Sequence, residues 1–368
     1  MPLLEDLDTP CLVLDRGRVA ANASRLRKHL GGLGVPLRLH VKTAKCPEVA
    51  ALVLAGEKAP ITVSTLKEAE QFFDGGYRDI LYAVGFERHK LARAQALAAR
   101  GARLTLLVDN VEAAQGIKGF PVLIEIDTDG HRAGVKPGDA AQLTAIARAL
   151  EEGGCTAAGV MTHAGGSYNS ASVSEIAAIA GKERDGAVMA AATLRRAGFA
   201  APVVSIGSTP TATYAKALEG VTEVRAGVFV FFDLVMAGID VCSQDDIALS
   251  VLATVIGRRA DKGWVLVDAG WMALSRDRGT ARQRVDQGYG VVCDLDGRPI
   301  ADLIVTDASQ EHGIVARRAG GTPPDLAVGT RLRILPNHAC ATGAQHERYH
   351  VVDGGRQIAA VWERFGGW

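Results

Sequence analysis

The sequence predicts an α/β fold: an eight-stranded (β/α)8 barrel of TIM type followed by a β-rich domain. Two observations carry that expectation. Between residue 37 and about residue 226, short apolar runs alternate with longer Ala-rich or charged amphipathic stretches. Such alternation implies parallel βαβ units, and eight of them close naturally into a barrel. After about Gly238 the helical periodicity stops, and β-rich runs follow one another across Gly, Asp and Pro turns. The expected organisation is a barrel over 15–238 and a β-rich domain built from 1–14 and 239–368.

The strand candidates are Leu37–Lys42, Ile61–Ser64, Ile80–Val84, Leu104–Asp109, Val122–Asp127, Ala158–His163, Val203–Ile206 and Thr222–Arg225. Helical stretches such as Pro47–Ala55, Leu66–Asp74, Asp139–Leu150 and Val173–Ala197 separate them, and an earlier helix is expected over Val19–Leu30. Beyond the barrel, Ala248–Ile256, Trp264–Asp268, Gly290–Asp294, Arg331–Leu335 and Tyr349–Val352 read as strands, and 320–325 as a loop.

Length and composition agree. A chain of 368 residues suits about two domains, and 48% hydrophobic with 22% charged residues is a globular profile. Lys plus Arg balances Asp plus Glu at 41 each, which argues against a nucleic-acid partner. The start, Met-Pro-Leu-Leu-Glu-Asp-Leu-Asp, has acids where a signal peptide needs bases. The longest apolar stretch, Ala226–Ile239, is interrupted by Asp233 and too short for a bilayer, so no membrane partner is expected. Six cysteines at 11, 46, 155, 242, 293 and 340 form no CxxC pair, which points to reduced thiols and a cytoplasmic location.

In such a barrel, chemistry sits at the C-terminal ends of the strands. Those ends carry His40-Val41-Lys42-Thr43, Gly130-His131-Arg132-Ala133-Gly134 after Asp127, Thr162-His163-Ala164-Gly165-Gly166-Ser167-Tyr168, Gly207-Ser208-Thr209-Pro210 and Arg225-Ala226-Gly227. Period-2 alternation puts Arg38, His40 and Lys42 on one face. A lysine among other cations is suited to Schiff-base chemistry. Lys45 competes with it but lies past the strand end, where exposure is expected. Gly207-Ser208-Thr209 offers amides and hydroxyls at a helix start, a phosphate site by physics. The same residues equally make an N-cap followed by Pro, and the two readings are compatible.

Taken together, the motifs resemble the fold-type III pyridoxal-phosphate enzymes of alanine racemase-like fold, and within them the D-serine dehydratase and D-threonine aldolase family. The resemblance spans the chain. It rests on Leu7-Asp-Thr-Pro, His40-x-Lys42-Thr-x-Lys45-Cys46-Pro47, Val63-Ser-Thr-Leu-x-Glu-Ala, Thr162-His-Ala-Gly-x-Ser-Tyr, Gly207-Ser-Thr-Pro-Thr, Asp268-Ala-Gly-x-x-Ala-Leu-Ser, Glu311-His-Gly and Pro336-Asn-His-Ala-Cys. It implies pyridoxal 5'-phosphate on Lys42, His163 against the ring and Arg132 at its phenolic oxygen. Ser208, Thr209 and the backbone at Gly227 and Val228 would hold the phosphate, Tyr168 would join the cofactor site, and Arg225 would face the pyridine nitrogen. It also implies a homodimer.

His338 and Cys340 follow the strand candidate Arg331–Leu335. In extended chain an i, i+2 pair shares a side, and imidazole with thiolate suits Zn²⁺. The pair alone is weak evidence. The resemblance makes it a zinc site beside the cofactor, with Mn²⁺, Co²⁺ or Mg²⁺ as alternatives. Aldolases of the family tend to carry Asp at the second position, so Cys340 favours a dehydratase. His312, His346 and His350 lie near in sequence, and Glu311-His312-Gly313 reads as a site lining or as a plain turn.

The implied reaction is elimination from a β-hydroxy-D-amino acid such as D-threo-3-hydroxyaspartate or D-serine, with Lys42 as α-proton base, giving a 2-oxo acid and ammonia. Retro-aldol cleavage to glycine and an aldehyde is the alternative. A racemase would need a second base, for which Tyr289 is a candidate, and a non-catalytic cofactor carrier would not need residues 239–368. Arg276, Arg278 and Arg282 read as a solvated basic loop or as the partners of a second substrate carboxylate.

Overall fold

The computed structural model describes residues 2–368. They form two compact units. One comprises Ser24–Lys42, Ala50–Gly227 and the last two residues; the other comprises the segment up to Ala23, Thr43–Val49 and Val228–Gly366.

The first strand, β1 (Cys11–Asp15), belongs to the second of these units. The next eight, β2 (Leu37–His40), β3 (Ile61–Val63), β4 (Asp79–Tyr82), β5 (Arg103–Val108), β6 (Pro121–Ile126), β7 (Thr156–Thr162), β8 (Val203–Ile206) and β9 (Glu223–Ala226), form the expected closed parallel barrel. Closure comes from β9 against β2, with Leu37 opposite Val224 and Leu39 opposite Ala226. Helices Leu66–Asp74, Ala140–Glu152 and Val173–Arg196 start where Thr65, Asp139 and Ser172 accept the amides of Glu68, Gln142 and Glu175. Each such cap contributes about 1 kcal/mol.

Alternation along β2 sends Arg38 inward near the N-terminal strand ends. Its guanidinium donates to Glu223 at 2.7 Å, Asp79 at 2.8 Å and the Ile61 carbonyl at 2.9 Å. Burial opposes the Arg38 charge, but the two carboxylates outweigh it and raise its pKa. This end of the barrel is closed by ion pairs, and the opposite end is left for chemistry.

The second unit is β-rich, as expected. Its later strands are β10 (Leu249–Arg259), β11 (Trp264–Val267), β12 (Gly290–Cys293), β13 (Pro299–Ala308), β14 (Gly313–Arg317), β15 (Arg331–Pro336), β16 (Arg348–Val352) and β17 (Ala360–Glu363). The sheet order is β11-β14-β13-β12-β15-β10-β1-β16-β17, and a further β10–β11 pairing turns six of these strands into a ring. Strand β1 joins it antiparallel to β10 and parallel to β16. Strands β13, β14 and β17 were not expected, because charged residues such as Asp302, Asp307, Arg317 and Glu363 interrupt their apolar pattern.

The expected barrel limit at 238 does not coincide with the unit boundary, which falls between Gly227 and Val228. The apolar run after β9 is anchored within the β-rich unit. The Phe231 ring packs edge-on to Tyr349 at 5.6 Å, the Ala248 amide donates to the Phe231 carbonyl at 2.7 Å, and Asp233 caps Leu234–Gly238. Among the described residues, no helix is long and apolar enough to cross a membrane.

Candidate active site

Lys42 follows β2 at the C-terminal rim of the barrel, and its side chain is exposed, with no carboxylate partner among the described residues. Around it lie the inward-facing groups of neighbouring strands. His40 stands 3.5 Å from the Ser64 hydroxyl through Nε2, and its buried Nδ1 has no partner. Burial first, then the charges of Lys42, Arg225 and His163, push its pKa well below the ordinary value. The His163 ring nitrogen Nδ1 lies 3.0 Å from the Gly207 carbonyl. Its pKa falls to about 3, again through burial first and the Lys42 charge next. Because the carbonyl can only accept, Nδ1 carries the hydrogen and Nε2 is bare. The Tyr168 ring sits 6.1 Å from the His163 ring.

Arg225 is buried on the inner face of β9. It donates to the Ser205 hydroxyl at 2.7 Å and to the Thr162 carbonyl. Burial lowers its pKa to about 10, against the pull of Glu223 and Glu183. Arg132 is exposed and pairs with Glu125 of β6 at 3.1 Å.

At the end of β8 the N-cap reading holds in full. The Ser208 hydroxyl accepts the Thr211 amide at 3.2 Å, and the Thr211 hydroxyl accepts the Ser208 amide at 3.0 Å. Ser208 also bonds Ser167 at 2.9 Å. Its amide is therefore engaged, and the helix it opens, Thr209–Tyr214, is only six residues long. Gly207 has a φ of +131°, and a Cβ there would lie 2.2 Å from the Arg225 carbonyl oxygen. Only glycine lets β8 and β9 approach so closely at this rim. Gly227 ends the barrel unit, and Val228 opens a 3-10 turn of the other.

Sequence reasoning missed Glu183. It lies on the buried face of the helix Val173–Arg196, in one row with Ile176, Ala180 and Ala187, and accepts the amides of Ala164 and Gly207 at 3.0 Å each. One carboxylate thereby holds two strand-end turns, and burial raises its pKa. A charged residue within an apolar i, i+3/i+4 row was the signal available.

Lys45 reverses the expectation set for it. It is half-buried, with φ of +46°, whereas Lys42 is exposed. The segment Thr43–Val49 belongs to the β-rich unit, where Tyr349 donates to the Ala44 carbonyl at 2.7 Å and the Phe365 amide to the Lys45 carbonyl at 3.1 Å.

In that unit His338 and Cys340 meet, but not as an extended pair. His338 is the N-cap of the short helix Ala339–Gly343, and the helical turn brings Cys340 into hydrogen-bond contact with its imidazole. His338 Nδ1 lies 2.5 Å from Asp277, and the Cys340 sulfur lies 3.3 Å from the Thr43 hydroxyl. Burial disfavours the imidazolium, but the bonds to Asp277 and Cys340 outweigh it and push the His338 pKa up to about 11. Asp233, wholly buried, accepts the Ala339 amide at 3.0 Å.

No group of three or more His, Cys, Asp or Glu capable of holding a metal occurs among the described residues. The other candidate histidines stand apart: His346 bonds the Ala273 carbonyl at 3.0 Å, and His312 lies in the exposed β13–β14 turn. Arg276, Arg278 and Arg282 are exposed. Arg276 lies over the Trp271 ring, while Arg278 pairs with Asp286 at 2.7 Å and covers Tyr289.

Residues 14–235 match the alanine racemase N-terminal domain, and residues 248–352 the serine dehydratase domain. The chain is 56% identical over 376 residues to D-threo-3-hydroxyaspartate dehydratase of Delftia sp. (strain HT23), covering 98% of each. It is 30% identical over 373 residues to D-threonine aldolase of Arthrobacter sp., covering 98% of this chain and 93% of the aldolase. A solved structure of a cysteine-to-alanine mutant of D-threo-3-hydroxyaspartate dehydratase in the metal-free form superposes with a TM-score of 0.97 at 54% identity, over 100% of both chains. With an alanine racemase-type barrel, a serine dehydratase domain and full-length likeness to a D-amino-acid dehydratase, this chain belongs to the alanine racemase-fold family of D-serine dehydratase-like enzymes.

Proposed function

We propose that the protein is a pyridoxal 5'-phosphate- and zinc-dependent lyase, a dehydratase (ammonia-lyase) of β-hydroxy-D-amino acids. Its leading substrate is D-threo-3-hydroxyaspartate, and its products are a 2-oxo acid and ammonia. The observation that carries the reading is the Lys42 amine, exposed at the barrel rim without a counter-charge, beside His40, His163 and Arg225.

The residues present fit the cofactor. The rim is cationic, the buried His40 Nδ1 lacks a partner, and β8 and β9 end side by side where barrels of this class hold phosphate. They also fit a metal at an open site. His338 and Cys340 converge, and with no third His, Cys, Asp or Glu placed to complete a metal site among the described residues, a bound ion would take its remaining ligands from water or substrate. A thiolate favours Zn²⁺ or Co²⁺ over the harder Mn²⁺ and Mg²⁺. The relative described in a metal-free form supports a metal here.

When bound, the cofactor supplies the electron sink for cleavage at Cα, and the metal a Lewis acid for the departing hydroxyl. Lys42 would anchor the cofactor, and its Nζ, when free, would take the Cα proton of the substrate. His163, neutral at working pH, offers a flat uncharged face to the ring. Tyr168 flanks it, and Arg132 meets the phenolic oxygen. Ser208 Oγ, Thr209 and the backbone of Gly227 and Val228 hold the phosphate. Arg225, a permanent donor, would face the pyridine nitrogen and so disfavour its protonation. A homodimer and a cytoplasmic location belong to the same proposal; six free cysteines support the latter, and size-exclusion chromatography checks the former.

The second reading is retro-aldol cleavage, favoured by the likeness to a D-threonine aldolase. Incubation with D-threo-3-hydroxyaspartate, D-serine and D-threonine, with and without EDTA, separates the two. Oxo acid with ammonia is expected; glycine with an aldehyde overturns the dehydratase reading, and full activity after complete metal removal overturns the metal role. Borohydride reduction and peptide mapping should label Lys42; a label on Lys45 refutes the assignment.

A further inference from the structure

We infer that Asp277 is a positioning residue for the metal: its carboxylate fixes His338 in the tautomer that presents Nε2 to the ion, and so sets the affinity of a site with two protein donors. The inference rests on the metal-dependent reading above and concerns a residue outside the His338/Cys340 pair.

The carboxylate stands 2.5 Å from His338 Nδ1. A carboxylate only accepts, so Nδ1 keeps its hydrogen, and Nε2 is the nitrogen that gives up its proton when the ion binds. An imidazole that donates its second nitrogen to a carboxylate is fixed in orientation and made more basic, both of which strengthen metal binding. With two protein donors, the aim of each one weighs more than in a closed four-ligand site.

Asp277 is itself held in place. It accepts the Gly279 amide, and its own amide donates to Ser275 Oγ at 3.2 Å. Ser275 is buried and has φ of +72°, a left-handed conformation that a non-glycine residue adopts at a cost of about 1–3 kcal/mol. That cost is borne where the loop must deliver Asp277. The loop and the ligand segment are also tied directly. Thr280 donates to Asn337 at 2.6 Å, and Thr342 donates to the Leu274 carbonyl at 2.8 Å. Contacts on both sides of the Asp277–His338 bond thus hold its two partners in register.

The test uses full-length, cofactor-loaded protein and reads zinc affinity by competition with a chromophoric chelator, together with the ligand-field absorption of the Co²⁺-substituted form. Asp277→Ala should weaken zinc binding by about 10- to 100-fold and shift the cobalt bands. Asp277→Asn is near-isosteric, keeps an oxygen to accept the Nδ1 hydrogen but loses the charge, and should fall between Asp277→Ala and the unmodified protein. Thermal unfolding of the apo forms checks that both variants fold. Zinc affinities within about twofold of the parent in both variants, with unchanged cobalt spectra, overturn the inference while leaving the metal reading standing. A parent protein that binds no zinc, or a His338→Ala variant that binds it as tightly as the parent, overturns the metal reading and this inference with it.

Discussion

Acid should destabilise the cofactor-free protein through His163. The folded barrel holds this imidazole at a pKa of about 3 against an ordinary value of 6.5, because the ring is buried and faces the Lys42 charge. Below pH 6.5 the unfolded chain takes up a proton that the folded chain refuses until about pH 3. Stability from this group is therefore complete above pH 6.5 and is lost as pH falls through that window, at about 1.4 kcal/mol per pH unit. Between pH 7 and pH 5 the loss comes to about 2 kcal/mol.

Urea unfolding of the cofactor-stripped protein at pH 7, 6 and 5, beside His163→Gln, isolates the effect. Glutamine still donates to the Gly207 carbonyl but does not titrate, so the carboxylates and His40 contribute to both proteins and cancel. The parent should lose about 2 kcal/mol more than the variant over this range. Parallel pH profiles would show that the folded ring accepts protons normally, and the picture of a neutral His163 facing the cofactor would fall.

Lys42→Ala should abolish the cofactor's lysine-bound absorption and lower kcat by about 100- to 10,000-fold, read by steady-state assay. Retained turnover would remove Lys42 from the chemistry. Arg38→Met strips the Glu223 and Asp79 carboxylates of their shared partner in the closed end of the barrel and should cost about 3 kcal/mol in urea unfolding, recovered in part by adding Glu223→Gln. Gly207→Ala forces a Cβ to 2.2 Å from the Arg225 carbonyl oxygen at a left-handed φ and should lower stability by at least about 2 kcal/mol in thermal unfolding.

The features legible in the sequence are the local ones. Short apolar runs marked all eight barrel strands, and the helical stretch read at Leu66–Asp74 matches its helix to the residue. The positions of Lys42, His163, Ser208 and Arg225 at the rim were legible because they lie at or just past strand ends. What was not legible depends on contacts between distant segments. Asp277 is an ordinary acid between two arginines until the fold sets it against His338. Glu183 is one charge on a long helix until two strand-end turns donate to it. The HxC pair was identified from its residue types, while its geometry came from a helix start rather than an extended strand, a choice the short segment Ala339–Gly343 does not declare through propensity.

The charge balance of the chain conceals a local imbalance. The whole sequence is formally neutral, yet at the barrel rim Lys42 has no carboxylate partner, and the Arg225 hydrogen bonds end on a hydroxyl and a carbonyl. Burial first, and this positive field second, depress the pKa values of His40 and His163. Glu223 and Glu183 act on Arg225 through space, but their hydrogen bonds go elsewhere: Glu223 to Arg38 and Ser205, Glu183 to two backbone amides. On the cofactor reading proposed above, a phosphate carrying close to two negative charges would be favoured by this field. The same field fixes the sign of a linked effect. An anion at the rim makes protonation of His163 less costly, so the extra acid sensitivity of the cofactor-free protein should shrink once the phosphate is bound. Equal sensitivity with and without it would mean that the phosphate does not sit within reach of the Lys42–His163 pair.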